Sequence, residues 1–352
     1  MVAFIAPFRI VEAPGTTPWS VSIDQVNSQS WDYVALHEIV GGLDVGLAAP
    51  YHMVVGRDGS LALPVLSDLR APEKAVGFFN HCLSALLLGG VYCIAIDLDG
   101  IDFGSIIDWK YLRISSSAPA NRFQRHSRLL GASLLEAIEL MSPRTVSLSV
   151  LIGAMKNGRD ILNTVPELSG EFLLRGTTGI ARRDWNMALA NLWIVIEQLT
   201  SSLWTKHVVT TAKAGDRIDG RIDQLQDTRT WTVSTRQELL FQLGILTTDV
   251  LRDLSSARRA RNALAHSGKG PSADFAQAAL RAALHLLEVA SGREIPLSQL
   301  NLADHILSDP FLPRGESKIE PQYWISIPKL PGEADLERLE AAMRNNAAGT
   351  DA

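Results

Sequence analysis

The chain has 352 residues and a formal net charge of −5; 46% of its residues are hydrophobic and 20% are charged. This length and composition are typical of a globular protein that can bury a sizeable core and hold two domains. The acidic balance argues against a surface that coats nucleic acid generally, although a local patch large enough for a phosphate is compatible with it.

Several features bear on the compartment. Cys82 and Cys93 provide neither a disulfide framework nor the spacing of a metal site, which favours a reducing environment. Residues 1–10 lack the basic start, hydrophobic core and cleavage site of a signal peptide. The apolar stretch Leu83–Ile96 is interrupted by two glycines and is too short to span a bilayer. We therefore expect a cytoplasmic protein that does not enter a membrane.

Residues 1–145 predict a mixed α/β domain, whose role the sequence does not indicate. Ala71–Leu88 predicts a helix with Pro72 in its first turn. From Asn121 onwards the pattern becomes helical. Residues of one apolar helix face follow at Leu129, Leu130, Leu134, Leu135 and Ile138. The β-rich runs, each bounded by Gly and Pro, are Val2–Val11, Trp31–Val40, Tyr51–Gly56 and Val91–Leu98.

A cluster of acidic residues lies near the end of this first domain. Asp97, Asp99 and Asp102 are followed by Asp108-Trp109-Lys110, and carboxylates with a nearby lysine are used by metal-dependent nucleases. The same Asp-x-Asp-Gly pattern is common in turns between strands, and the spacing does not fit a calcium loop. We interpret these residues as turns and expect no metal and no cofactor.

Residues 146–292 predict an all-α domain, and residues 293–352 an irregular tail with one short helix at Glu333–Arg344. The helix Trp185–Trp204 carries an apolar seam, with Glu197 beside it. We expect this carboxylate to face solvent, and the alternative is that it orients His266 or pairs with Arg261. Alanines predict close packing of the last helix of the domain at positions Ala276, Ala279, Ala282, Ala283 and Ala290.

Arg261 occupies an unusual position in the helix before that one. At 100° per residue, one narrow stripe carries Leu243, Leu246, Val250, Leu254, Ala257, Arg261 and Leu264. An arginine in an apolar seam is almost never left unpaired, because a buried charge without a partner is costly. Arg261 is therefore predicted either to join an ion pair or to face a cleft or subunit interface that receives an anion.

His266 follows Arg261 by five residues and points about 140° away from it on an unbroken helix. The two can converge only if the helix ends near His266 or if a second copy of the chain supplies the partner. The segment Ser267–Pro271 provides a stop, because glycine can cap the helix and proline cannot continue it.

This pair has the chemistry needed to cut RNA. An imidazole can take the proton of a ribose 2′-hydroxyl while a guanidinium neutralises charge on the phosphate oxygens. Further positive side chains lie near the pair at Arg252, Arg258, Arg259 and Lys269. Arg258 and Lys269 are predicted to bind the substrate together with Asn262.

The run Arg261-Asn262-Ala263-Leu264-Ala265-His266 resembles the Arg-Asn-x-x-x-His motif of the HEPN superfamily of small α-helical domains, and the helix from Trp185 fits the same pattern. The resemblance covers roughly residues 170–292. It implies a metal-independent ribonuclease that works as a homodimer, with the motifs of both chains lining a shared cleft. By this likeness Arg261 stabilises the phosphate, His266 is the general acid or base, and Asn262 is the polar residue that accompanies the arginine.

Together the residues and the resemblance predict an α+β protein with a HEPN-like helical bundle, which acts as a homodimeric endoribonuclease on RNA. The resemblance also suggests a setting in a toxin or phage-defence system. Other members of the superfamily keep the fold and only bind. The alternative is therefore a non-catalytic module that binds RNA, a nucleotide or a protein partner through the same residues.

Overall fold

The computed structural model of the protein describes residues 1–115, 117–129, 139–215 and 218–299, with a few positions between 332 and 341. The described residues up to 299 belong to one compact unit, with short strands in its first half and helices dominating its second, so the predicted α+β class is confirmed. The boundary predicted between residues 145 and 146 lies inside this unit. Residues 130–138 of the predicted apolar helix face, and most of the predicted tail with its helix at Glu333–Arg344, lie outside the described residues.

The strands of the described part form one small sheet and two strand pairs. They are β1 (Val2–Phe4), β2 (Ile10–Glu12), β3 (Ile39–Leu43), β4 (Met53–Gly56), β5 (Ser60–Ala62), β6 (Gly104–Ile107), β7 (Tyr111–Ile114) and β8 (Thr145–Ser147). An antiparallel sheet has the order β1-β5-β4-β3, and β6 and β7 form a hairpin. The parallel pair β2–β8 ties the start of the chain to the entrance of the helical region.

The helices of the described part are α1 (Ile23–Asn27), α2 (Pro72–Leu88), α3 (Arg122–Arg128), α4 (Leu148–Thr164), α5 (Gly170–Ala181), α6 (Trp185–Trp204), α7 (Thr210–Ala214), α8 (Arg221–Gln226), α9 (Val233–Gln242), α10 (Thr248–Ser267) and α11 (Ala273–Ser291). A π-helical turn at Thr205–Val209 separates α6 from α7. Among the described helices, none has both the length and the apolar character that crossing a membrane requires.

Helix α6 is the central element of the helical region. Its predicted bounds are confirmed, and it packs against α5, α9, α10 and α11. The seam residues of α6 are fully buried at Leu189, Leu192, Ile196, Leu199 and Leu203. The predicted packing alanines of α11 are also buried, at Ala276, Ala279, Ala282, Ala283 and Ala290. Since small side chains let helix axes approach closely, α11 lies tightly along α6 and holds α10 in place beside it.

The predicted strands are only partly confirmed. Tyr51–Gly56 contains β4, but Val2–Val11 divides into β1 and β2 with a break between them. Trp31–Val40 is mostly irregular, with a 3-10 turn at Ala35–His37 before the start of β3. Hydrophobic β-rich runs reveal that a segment is buried, but they do not reveal where it bends.

The strand predicted at Val91–Leu98 is wrong, because this buried, irregular segment is paired with helices instead of strands. The amide of Ile96 donates to the Asn80 side chain of α2 at 2.9 Å, and Asn80 returns a bond to the carbonyl of Ile96 at 2.9 Å. The amide of Ala95 donates to Thr178 Oγ1 of α5 at 2.8 Å. Polar side chains of buried helix faces thus satisfy backbone groups that a neighbouring strand would otherwise satisfy.

Helices α2 and α4 cross at two glycines. A Cβ atom at Gly158 of α4 would overlap the backbone carbonyl of Ala85 in α2, and one at Gly89 would overlap that of Ala154 in α4. Backbone stands against backbone at this crossing, so neither side can yield by changing a rotamer. The contact attaches the first half of the chain to the helical region.

We expect Gly158→Ala to lower the free energy of unfolding by about 1–3 kcal/mol, because the added methyl group must push two backbones apart. The matched control is Gly153→Ala on the same helix, where a Cβ would meet nothing within 4 Å. That substitution should raise stability by up to about 1 kcal/mol through helix propensity alone. Urea titration of both variants measures the difference, and an equal gain in stability for the two would contradict the close crossing.

Candidate functional site

The predicted end of the motif helix is confirmed. Helix α10 begins after Thr247, whose hydroxyl accepts a bond from the amide of Val250, and it ends at Ser267. Gly268 follows with a left-handed φ of 64°, and its amide donates to the carbonyl of Leu264 at 3.1 Å. This is the left-handed cap for which glycine is the favoured residue.

The predicted apolar stripe is confirmed for most of its length. Val250, Leu254 and Ala257 of α10 are buried, and Leu246 is buried just before the helix begins. Leu243 is an error in the prediction, since it follows the end of α9 and its side chain is 59% exposed. A turn between α9 and α10 breaks the helical register that was assumed to run through both.

Arg261 lies where this stripe runs out at the end of the helix. It is half-buried, as is Leu264 one turn later. The Arg261 Nη1 donates to Asn262 Oδ1 at 3.3 Å, and within the described ranges its guanidinium forms no ion pair. The proposed partner Glu197 is engaged elsewhere, because its carboxylate accepts a bond from Trp193 Nε1 at 2.6 Å. In the described part Glu197 forms no ion pair with Arg261 and no hydrogen bond with His266, and the expected solvent-facing position is only partly met, because the residue is half-buried.

His266 lies in the last turn of α10 and is exposed. Because the helix continues through Ser267, His266 keeps helical geometry and points about 140° away from Arg261. The cap at Gly268 comes too late to turn the imidazole towards the guanidinium. One chain alone therefore does not bring Arg261 and His266 together on one face.

The neighbours of His266 along the helix are different residues. Arg258, Asn262 and His266 are spaced by four, so they follow one edge of α10 over about 12 Å. Asn262 and His266 are exposed, while Arg258 is half-buried. From the sequence, we grouped these three residues by charge and motif, and we did not predict that they share one edge of the helix. Their spacing by four is the signal that indicates it.

We call the surface formed by Arg258, Arg259, Arg261, His266 and Lys269 the basic helix end. From Leu254 to Lys269 the chain contains no acidic residue. None of the three arginines, nor Lys269, has an ion pair with any described residue. In contrast, Arg252 is bound to Asp249 at 2.6 Å and does not contribute a free charge.

We call the segment after α10, from Gly268 to Pro271, the capping loop. It places Lys269 beside the start of α6. A Cβ atom added at Gly270 would come within 3.2 Å of Asn186 Oδ1, so the loop after α10 lies against the first turn of α6. Lys269 and Asn186 are both exposed. The basic helix end thus has a lysine and an amide at its border, which are side chains suited to phosphate oxygens.

The acidic residues of the first half are confirmed as parts of turns and structural contacts. Asp99 lies in a 3-10 turn, and Asp108 lies in the turn between β6 and β7. Asp102 is buried and accepts bonds from the amides of Ser117 and Ala118 at 2.7 and 3.0 Å. No three His, Cys, Asp or Glu side chains of the described part are arranged to hold a metal ion.

A second cluster of ionisable groups lies in the first half of the chain and was not predicted. Arg128 is 1% exposed and donates to both oxygens of Asp58, which is 3% exposed. The same guanidinium donates to His37 Nδ1 at 3.2 Å and to the carbonyl of Leu112 at 2.7 Å. His37 and Arg128 line a cleft of about 420 Å³.

The chemistry of this cluster is structural. The donors of Arg128 are occupied by protein acceptors, so no donor is left for a substrate. Burial, together with the charge of Arg128, lowers the pKa of His37. A neutral imidazole is what the contact requires, because its Nδ1 must accept a hydrogen bond from the guanidinium. The residues are 21 to 91 positions apart in the chain, so no local sequence pattern announces them.

The basic helix end is therefore the candidate functional site, defined by free positive charge and one exposed imidazole. Comparison of the chain with protein-family models, with characterised proteins and with solved structures returned no match.

Proposed function

We propose that the protein is a metal-independent endoribonuclease that works as a homodimer, in which Arg261 of one chain and His266 of the other act on the same phosphodiester. The observation that carries the proposal is an exposed imidazole together with arginines that have no ion pair among the described residues, on a helix end without acidic residues. The likeness of this run to the HEPN motif supports the same assignment.

The proposed reaction needs one base, one acid and one cation. His266 takes the proton from a ribose 2′-hydroxyl, and the 2′-oxygen forms a bond to phosphorus. The bond from phosphorus to the 5′-oxygen breaks, and that oxygen receives a proton from water. Arg261 stabilises the charge that grows on the phosphate oxygens. The products are a 2′,3′-cyclic phosphate and a free 5′-hydroxyl.

The angle between the two side chains is the reason for proposing a dimer. Arg261 and His266 point about 140° apart within one chain. A two-fold axis beside the last turns of α10 would bring Arg261 of each chain near His266 of the other. Such an interface would also cover the half-buried Arg261 and Leu264, where the apolar stripe of α10 ends.

The test is cleavage of a labelled single-stranded RNA in the presence of excess EDTA. The wild type should cut it, and His266→Ala should be slower by at least about a hundredfold, because the proton-transfer group is lost. The side chain of His266 is exposed and forms no hydrogen bond or ion pair with a described residue, so circular dichroism and melting temperature should stay unchanged. Equal rates for the two proteins would remove His266 from the mechanism.

A second function is favoured by the divergence of Arg261 and His266 within the single chain. In this alternative the basic helix end binds RNA, a nucleotide or a protein partner and cuts nothing. Binding of the labelled RNA without cleavage, with affinity reduced by substitution of Arg258 or Lys269 and left unchanged by His266→Ala, would support it. The same RNA thus serves both tests.

A further inference from the structure

A second concave site lies far along the chain from α10, on the outer face of the four-stranded sheet. It is a pocket of about 560 Å³ between this sheet and the β6–β7 hairpin. Its floor is made by β1, β4 and β5 through Val2, Val54 and Ala62, and its wall by Leu112 and Ile106 of the hairpin.

The sheet that forms the floor is apolar on both faces. Ala3, Val55 and Leu61 point into the main core, while Val2 and Ala62 on the opposite face belong to a separate small cluster with Leu112. An antiparallel sheet with one solvated face normally alternates apolar and polar residues. The outer face of this sheet is built to be covered, and the hairpin covers only part of it.

The lining of the pocket carries no carboxylate, ammonium or guanidinium side chain among the described residues. Its polar side-chain groups are few, and His52 and Ser105 supply two of them at exposed positions of the rim. Ligand pockets that are mostly apolar with a few polar groups, and that fall between about 300 and 1,000 Å³, bind small molecules. The N-terminal ammonium of Met1, a lining residue, donates to the carbonyl of Leu63 at 2.9 Å, and burial lowers its pKa. The lining side chains themselves carry no charge, which favours a neutral occupant.

Trp109 at the mouth of the pocket is difficult to explain by folding. It is 89% exposed, and it adopts a left-handed φ of 53° beside Asp108 at 50°. The two residues form the turn of the β6–β7 hairpin, closed by the amide of Lys110 on the carbonyl of Ile107 at 3.0 Å. Such turns favour Asn-Gly or Asp-Gly, and a bulky side chain is strained at the second position.

We propose that this pocket binds a neutral, largely apolar small molecule that contains a planar ring, and that the Trp109 indole stacks on the ring at the mouth. The buried apolar floor supplies the affinity through area removed from water. The indole supplies a flat surface for the ring, since aromatic groups prefer offset or edge-to-face stacking. A strained and exposed tryptophan at this turn then has a role that a glycine could not fill.

The probe for the test is N-phenyl-1-naphthylamine, a neutral aromatic dye whose fluorescence rises in apolar surroundings. The full chain should bind it saturably with one site per chain. Trp109→Gly should weaken the affinity about two- to tenfold through loss of the stacking partner. The melting temperature of this variant should stay equal or rise, because glycine adopts positive φ without strain.

A second variant and a control complete the test. Ala62→Phe fills the floor of the pocket and should abolish dye binding, whereas Leu243→Ala changes an exposed apolar residue elsewhere and should leave it unchanged. No saturable binding by the wild type, or equal affinity in Trp109→Gly, would overturn the proposal. A change of oligomeric state in Trp109→Gly by light scattering would also overturn it, because a second copy of the chain would then be the occupant.

Discussion

Arg261→Ala and His266→Ala should each slow RNA cleavage by about a hundredfold or more, and a mixture of the two should recover about a quarter of the wild-type rate. The recovery follows from the proposed two-fold arrangement of the chains. A dimer of one Arg261→Ala chain and one His266→Ala chain keeps one complete pair, formed by the intact His266 of the first and the intact Arg261 of the second. Half of the randomly assorted dimers are of this kind, and each has one working pair of two.

The measurement is EDTA-resistant cleavage of labelled RNA after the two variants have exchanged subunits. Arg252→Ala is the matched control on the same helix, because its guanidinium is already bound to Asp249 and it should leave the rate unchanged. A mixture as inactive as its components, although dimers are seen by light scattering, would contradict the pairing across chains. A monomer with full activity would contradict it as well.

Individual helices could be predicted closely from sequence, because their signals are local. The bounds of α6 match the prediction, and α2 spans Pro72–Leu88 where a helix at Ala71–Leu88 was predicted. Periodic apolar residues and a capping glycine act within a few residues of one another, so a single chain segment contains the information. The end of α10 at Gly268 is of the same kind.

The first half of the fold could not be predicted as well, because its decisive contacts join distant residues. Val91–Leu98 has the composition of a strand, but its amides bind side chains of α2 and α5. Likewise, no pattern near Asp58 reveals that Arg128 will reach it. Burial could be inferred from hydrophobic runs, whereas the partner of each buried polar group depends on the tertiary fold.

The candidate site could be predicted from sequence in part. The residues Arg261, Asn262 and His266 could be named from the motif, and their angular separation follows from the helical repeat. The contact of Glu197 with the Trp193 indole follows from their spacing by four on one helix, whereas its distance from Arg261 depends on how α6 and α10 pack. Completion of the site by a second chain depends on the shape of the folded surface around α10. The spacing of apolar residues along the helix does not specify that shape.

The largest change in stability is expected from Asp58→Asn. Asp58 is the carboxylate that balances Arg128, and side-chain exposures of 4% and 2% place the pair out of contact with water. Removing one charge of a buried, hydrogen-bonded pair leaves the other uncompensated, at a cost of about 3–5 kcal/mol. The neutral amide keeps the size of the carboxylate, so the loss would reflect charge more than packing.

Urea titration gives the free energy of unfolding of this variant, and a comparison with Asp249→Asn provides the control. Asp249 also binds an arginine, but that pair is exposed, and exposed pairs contribute little. The double substitution Asp58→Asn/Arg128→Met should recover part of the loss, because it removes the buried cation that Asp58→Asn leaves unbalanced. If Asp58→Asn lowered the free energy of unfolding as little as Asp249→Asn, Asp58 and Arg128 would not form the buried contact that joins β4, β5 and α3. The purely structural role assigned to this cluster would then have to be abandoned.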